Sequence, residues 1–267
     1  MSIVVSGTRR AGGRLAGLAG ALLLLALWAW LSTRTVPTRL PGPDAVLRVM
    51  AESLTSSPVI AAQGGGSGGF LPHIWATLWH TVVAVAAGAL LGCALGWALA
   101  TVQGVRWLLQ PPLEILRLVP SLVAVPFFVL WFGIGPVPQF ALIVGYTVLV
   151  MQVAAYTAVR DFPPHVRDYA RTMGANRWAV ARTVLLPGAL PGLLGSLRVT
   201  LQLAWGLAVV AELLGAQVGV GRVMSSAARL FRTDYVMAGL VWISVIAMVT
   251  DAVFRWAIRR TTAWSRD

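Results

Sequence analysis

The chain contains no lysine; all 21 of its basic residues are arginine. The phosphate loop of P-loop NTPases needs a lysine to reach the β- and γ-phosphates, so the chain carries no ATP motor of that kind. Schiff-base chemistry through a lysine amine is excluded by the same absence. Cysteine is nearly absent too, with Cys93 standing alone in an apolar run. One thiol forms no intrachain disulfide and no thiolate metal cluster, and Cys93 reads as a small packing residue in a helix. Charge is scarce, at 11% of residues, and only nine of these are carboxylates. The net charge of +12 comes with no groove-reading motif, which removes nucleic acid from the partners considered.

Apolar sequence fills the remainder, with 58% of the 267 residues hydrophobic. Several runs lack charge over the roughly 20 residues needed to cross a hydrocarbon core, so the fold class expected is an all-α integral membrane protein with six transmembrane helices. The first crossing runs from Leu15 to Leu31, after Arg9, Arg10 and Arg14, and closes on the interfacial Trp28 and Trp30. A cleaved signal peptide is the rival reading. The residues after Arg9-Arg10 do not continue a twin-arginine signal and no small-x-small cleavage site follows, so the helix is read as retained.

Residues 32–71 hold a turn around Pro37, Pro41 and Pro43, an amphipathic stretch from Asp44 to Leu54, and a Gly-rich piece, 63–69, that reads as a flexible linker without a site. In the second crossing, within Leu71 to Val102, Gly88, Gly92 and Gly96 recur every fourth residue and mark a face for close helix packing. His73 and His80 near its outer end lack a third ligand at metal spacing and read as interfacial; no metal site is expected. The uncharged stretch from Leu118 to Val159 is too long for one crossing, and Gly133 to Pro138 divides it as a tight external turn. Pro120 and Pro126 interrupt the first half, either as ordinary kinks or as a hinge beside a translocation path. The fifth crossing spans Leu190 to Leu214. After Gly215, Gly219 and Gly221, the residues Val223, Met224, Ala227, Leu230 and Phe231 fall on one face of a short surface helix opposite Arg222 and Arg229. The sixth crossing runs from Tyr235 to Ile258, where Asp251 and Arg255 are spaced for a local ion pair.

Arginine counts orient the chain. Fourteen lie in the N-terminus, residues 103–117, residues 160–182 and the C-terminal end, and six lie in the two long loops opposite. The richer side belongs in the cytoplasm, which places both termini there.

One charged stretch interrupts this apolar pattern on the cytoplasmic side. Residues 160–187 predict two short helices, Pro164 to Met173 and Arg177 to Leu185, with Gly174 at the bend where a β-carbon is unwelcome. Pro187 is expected to disfavour helix at Leu186 and to mark entry to the fifth crossing. Trp178 and Val184 serve as apolar anchors rimmed by Arg171, Arg177 and Arg182, a pattern that suits a protein contact. Asp168-Tyr169-Ala170-Arg171-Thr172-Met173-Gly174-Ala175, with Leu186-Pro187 at the expected distance, resembles the "EAA" loop of permease subunits of binding-protein-dependent ABC importers. Asp168 stands at the motif's Glu, Tyr169 and Ala170 at its two alanines, and Gly174 at its glycine. Asp keeps the carboxylate, and Tyr169 adds bulk. Leu130 to Gly135, Ala211 to Gly215 and Arg232-Thr233-Asp234 resemble the branch that imports sulfonates, taurine, nitrate and related small anions.

The resemblance implies the type I ABC importer permease fold with cytoplasmic coupling helices, in a bacterial plasma (inner) membrane. It implies an N-terminal helix and external loop over 1–70, a permease domain over 71–262 with its coupling loop at 160–187, and a cytoplasmic tail at 263–267. The partners implied are two ABC ATPase subunits, a second permease copy in a homodimer, an extracytoplasmic substrate-binding protein and membrane lipid. This chain would bind no cofactor, with ATP and Mg held by the ATPases. Asp168, Tyr169, Ala170, Arg171, Gly174, Ala175, Trp178, Leu186 and Pro187 are the coupling residues so implied. For the solute path, Gln152, Tyr156, Gln202, Trp205 and Glu212 are polar or amphipathic within crossings, where such groups face either a cavity or another helix. Arg198 either attracts an anion or snorkels its head to the interface.

Three alternatives fit parts of the sequence. The same permease role for a heterocyclic vitamin precursor leaves the fold unchanged. A secondary transporter would show inverted repeats or coupling carboxylates, and the crossings offer only Glu212 and Asp251, near their ends. An intramembrane hydrolase has Ser121 or Ser196 as nucleophile, yet neither sits in a G-x-S-x-G turn and no mid-membrane His is present.

Overall fold

The computed structural model describes residues 5–261, with side chains from residue 16 onward. The elements in chain order are α1 (Val5–Arg34), α2 (Pro43–Glu52), α3 (Pro58–Ala62), α4 (Leu71–Thr101), α5 (Gln103–Leu118), α6 (Val125–Phe132), α7 (Pro136–Arg160), α8 (Pro164–Thr172), α9 (Arg177–Val180), α10 (Leu186–Gly215), α11 (Val220–Arg229) and α12 (Thr233–Thr261). A π-helical turn, Ala181–Leu185, joins α9 to α10 without a break. Five segments are long and apolar enough to cross a membrane: Ala16–Arg34, Leu71–Thr101, Pro136–Arg160, Arg177–Gly215 and Thr233–Thr261.

The closest helix pair is α4 with α7, and glycine makes it possible. A β-carbon on Gly88, Gly92 or Gly96 would lie 2.6 Å from Thr147 Cβ, 2.8 Å from Met151 Cβ and 2.3 Å from the Gln152 carbonyl oxygen. Carbon atoms need about 3.5 Å, so no other residue fits this seam. Each step of four along α4 is matched by a step in the same direction along α7, which makes the two helices parallel. The chain between them must therefore return across the bilayer.

That return is α5 and α6, and it differs from the crossing expected at Leu118 to Gly133. Helix starts already at Gln103, carries Arg106, Glu114 and Arg117, and holds Pro111 and Pro112 inside it. After a break at residues 119–124 it resumes for only eight residues at Val125–Phe132. Together the two pieces reach about 36 Å, enough for one crossing. Hydropathy misses this crossing because its first half is amphipathic.

Pro187 also departs from expectation. Leu186 is helical, with φ −64° and ψ −49°, and its N–H bonds the Ala181 carbonyl five residues back. The wider π turn absorbs the proline, whose ring would otherwise strike a carbonyl four residues earlier. One helical rod of 39 residues therefore runs from Arg177 to Gly215.

The central core joins α4, α6, α7, α10 and α12 through residues such as Ile143, Ala204, Trp205, Ala208 and Ile246. A second cluster caps one end, where Val46, Ile60 and Phe70 pack on Val220, Met224, Tyr235 and Ala238. The Ser53 and Ser57 hydroxyls meet the Tyr235 hydroxyl at 2.9 and 3.1 Å. The Gly-rich piece is part of this cap rather than a free linker. Gly64, Gly66 and Gly69 adopt positive φ, and a β-carbon on Gly69 would lie 2.3 Å from the Ser53 carbonyl oxygen. In α11 the expected face is buried at Val223, Met224 and Ala227. Leu230 and Phe231 fall outside it, because the helix ends at Arg229 and Phe231 turns to φ 55°. The α1 helix stands apart, tied at its end by the Trp28 indole donating to the Pro41 carbonyl at 3.0 Å.

Gly96→Val should separate α4 from α7. Overpacking of this kind costs about 1–3 kcal/mol, so thermal unfolding in detergent should occur well below the wild-type temperature; equal unfolding would contradict the seam.

Candidate coupling loop and membrane cleft

Of the two short helices expected in residues 160–187, the first forms as α8, while the second, from Arg177, runs through the π turn into α10 instead of ending at Leu185. Helix α8 ends in a reverse bend where Ala175 N–H donates to Ala170 O at 3.1 Å and Gly174 N–H donates to Arg171 O at 2.9 Å. Gly174 takes φ +87°, the left-handed conformation this helix ending requires. The Asn176 side chain then accepts from Ala179 N–H at 2.8 Å and caps α9. That cap was legible, since Asn directly before an apolar-patterned run is a helix-start signal.

Ala170, Ala175 and Val184 turn inward onto Val159, Val180 and Leu185, with Trp97, Ala100 and Phe162 from the neighbouring helix ends. Val184 thus roots the loop rather than anchoring a partner. The bulk of Tyr169 is turned away from this packing. Tyr169, Met173 and Trp178 are 68%, 74% and 73% exposed. Asp168 pairs with Arg171 at 3.7 Å on the open surface, where such a pair contributes little. Leu186 is exposed and Pro187 half-buried on the first turn of α10. Behind the loop, a cleft of about 710 Å³ is lined by Arg106, Arg160, Arg167, Arg171 and Arg177. The loop therefore offers an apolar triad beside a strongly basic recess.

At the other end of α10, Glu212 is buried at 1% exposure and ties four helices together. Its Oε1 accepts from Gln139 Nε2 of α7 at 2.9 Å. Its Oε2 accepts from Thr77 Oγ1 of α4 at 3.0 Å and from Gly221 N–H at 2.9 Å. Thr77 Oγ1 in turn accepts from Val220 N–H at 2.9 Å. His73, read as interfacial, is instead buried in the same network. Its Nδ1 accepts from Gly219 N–H at 3.1 Å and its Nε2 faces Gly65 O at 3.0 Å, which fixes a neutral ring with the proton on Nε2. Gly219 is required because a β-carbon there would lie 2.3 Å from Glu212 Cδ.

The path residues divide. Gln152 and Tyr156 line a cleft of about 180 Å³ with Gln110, Glu114 and Arg117 of α5. Trp205 is sealed in the central core and Glu212 is committed to its network, although Glu212 also borders a separate cleft of about 270 Å³ with Arg222 and Arg229. Gln202 is exposed on α10 and its side chain hydrogen-bonds Asp251. Arg198 does not snorkel freely: its Nε and Nη2 donate to Asp251 at 2.6 and 3.1 Å, and Arg255 joins the same carboxylate at 3.0 Å. Sequence spacing gave the Asp251–Arg255 pair but not the Arg198 partner, which lies on another helix. Among the described residues no group of three metal-ligating side chains forms.

Residues 88–263 match the family described as "Binding-protein-dependent transport system inner membrane component". The chain is 34% identical over 245 residues, 91% of its own length and 87% of the relative's, to the taurine transport system permease protein TauC of Escherichia coli. It is 28% identical over 258 residues, 96% of its length and 90% of the relative's, to the putative aliphatic sulfonates transport permease protein SsuC of Bacillus subtilis. Among solved structures, a chain of the inward-facing MetNI methionine ABC transporter aligns with a TM-score of 0.57 at 23% identity, covering 76% of this chain and 99% of that one. The last likeness shows the fold alone.

Glu212→Ala removes the acceptor of three buried donors and should cost about 3 kcal/mol or more. Thermal unfolding in detergent should show a drop far larger than that of the surface control Leu240→Ala; similar drops would mean that the network contributes nothing.

Proposed function

The chain belongs to the family of binding-protein-dependent transport system inner membrane components, and from that premise we propose that it forms the uptake path for a small sulfonate such as taurine. It is a multi-pass permease subunit of an ABC importer. In the arrangement proposed, two copies pair in the membrane, one ATPase subunit grips the 160–187 loop of each, and a receptor delivers solute at the opposite end. ATP and Mg stay on the ATPases, and this chain has no hydrolytic site of its own. Both termini face the cytoplasm. With Arg117 assigned to the membrane, the cytoplasmic side keeps thirteen arginines against six.

The observation that carries the coupling role is the exposed triad Tyr169, Met173 and Trp178, held out from a rooted base. Exposed aromatic and thioether side chains beside arginines have the composition of an interface hot spot. Asp168 and Arg171 flank the triad, Gly174 sets its bend, and Ala170 and Ala175 seat it. Leu186 and Pro187 begin the rod that carries motion away. Because the helix is continuous from Arg177 to Gly215, a displacement imposed at Trp178 has an unbroken helical path of about 50 Å to Glu212, with Pro191 inside it. Nucleotide thereby biases a two-state element whose other end is the Glu212 network. Gln152 and Tyr156 line the path; Gln202 supports Asp251, and Trp205 and Glu212 stiffen the wall.

Leucine at position 174 would be forced into positive φ, and Trp178→Ala removes an anchor whose loss typically weakens binding about 30-fold or more. Either variant should lose ATPase co-purification and substrate-stimulated hydrolysis in reconstituted vesicles. Unchanged values in both, or full-speed solute uptake with no ATPase present, would refute the coupling role.

A further inference from the structure

We propose that Arg117 holds the sulfonate group of the solute inside the membrane, with Ser121, Tyr146 and Ser196 as hydroxyl donors and Glu114 as a second pole for an amino group. The assignment rests on the sulfonate reading above and deepens it.

A guanidinium within a bilayer needs a partner, since an uncompensated charge there is expensive. Arg198 has one in Asp251. Arg117 has none: the ion pairs among the described residues are Arg171–Asp168, Arg198–Asp251, Arg232–Asp234 and Arg255–Asp251. It lies at the end of α5, immediately before the break in the third crossing, and borders two adjoining clefts. The larger, about 460 Å³, contains Ser121, Tyr146 and Ser196 as well as the apolar Leu149 and Val150. Tyr146, Leu149 and Val150 belong to the middle of α7, so the cleft lies deep in the membrane rather than at its surface. Interrupted membrane helices form solute sites because the break lets side chains and backbone turn toward a wet cavity.

The chemistry fits a sulfonate. Its oxygens accept from a planar guanidinium fork and from hydroxyls, and a short alkyl chain suits the apolar part of the lining. Glu114 lies one helical turn before Arg117 on the same face and borders the smaller cleft. Its Oε1 accepts from Gln110 Nε2 at 2.8 Å, and it makes no ion pair with Arg117. Two opposite charges that do not neutralise each other, set along one open cleft, match a zwitterion such as an aminoalkanesulfonate.

The test is uptake of taurine and of ethanesulfonate, which lacks the amine, by the reconstituted importer with its ATPase and receptor. Loss of a charge-assisted contact corresponds to about 10- to 100-fold. Arg117→Gln should therefore lower uptake of both solutes by that factor while ATPase co-purification persists, and Arg117→Lys should recover part of it. Glu114→Gln should lower taurine uptake about tenfold more than ethanesulfonate uptake. Unchanged uptake in Arg117→Gln overturns the subsite, and equal loss of both solutes in Glu114→Gln overturns the second pole. Wild-type vesicles that move neither solute overturn the sulfonate reading itself, and the ligand assigned here with it. Should Arg117→Gln fail to fold, Ser121→Cys in a Cys93→Ala background reports instead. Ethanesulfonate should protect that thiol from an anionic thiol reagent, and labelling unaffected by a transported solute rules the subsite out.

Discussion

Contact between α4 and α7 at Gly88, Gly92 and Gly96 is the constraint on which the remaining architecture depends. In a bilayer, helices gain little from burying apolar surface against one another, so close backbone approach and van der Waals contact hold them together. Parallel packing then dictates topology. Two neighbouring helices that run the same way require a return crossing between them, and the chain supplies it as a broken, partly polar segment. Without the glycine seam, α5 and α6 would read as a loop with a short apolar tail.

Charge inside this protein is used sparingly, and two instances are met by groups of the chain itself. Arg198 and Arg255 share Asp251, which leaves the three as one ion-paired group with a single net positive charge. Glu212 is met by a hydroxyl, an amide and a backbone N–H, each from a different part of the chain. The network locks the end of the bundle remote from the coupling loop. Both carboxylate oxygens of Glu212 are thus occupied, and the cluster fixes the relative positions of α4, α7, α10 and α11 at that end.

Coupling loop and Glu212 are the two ends of one helical rod. The π turn at Ala181–Leu185 matters here because it carries the helix past Pro187 unbroken. A proline break at that position would have decoupled the loop from the crossing. The small residues Ala170 and Ala175 matter for a related reason, since they let the loop sit tightly on the ends of its neighbours while Tyr169, Met173 and Trp178 remain exposed.

Local patterns were enough to place most crossings, the turn at Gly133–Pro138, the bend at Gly174 and the short helix before it. Hydrophobic length, arginine placement and glycine at a positive φ each act within one or two helical turns, so they can be read from neighbours in the chain. The third crossing escaped because its charges and prolines mask an amphipathic helix whose direction only its neighbours define. His73 and Arg198 escaped for the same physical reason. Their partners, Gly219 and Asp251, lie 146 and 53 residues away, and no local signal records which distant group a side chain will meet. The sequence by itself determined a membrane-spanning helical protein with one charged, glycine-bent loop between its crossings. Tertiary packing alone decided which polar groups neutralise one another, and which, such as Arg117, are left open.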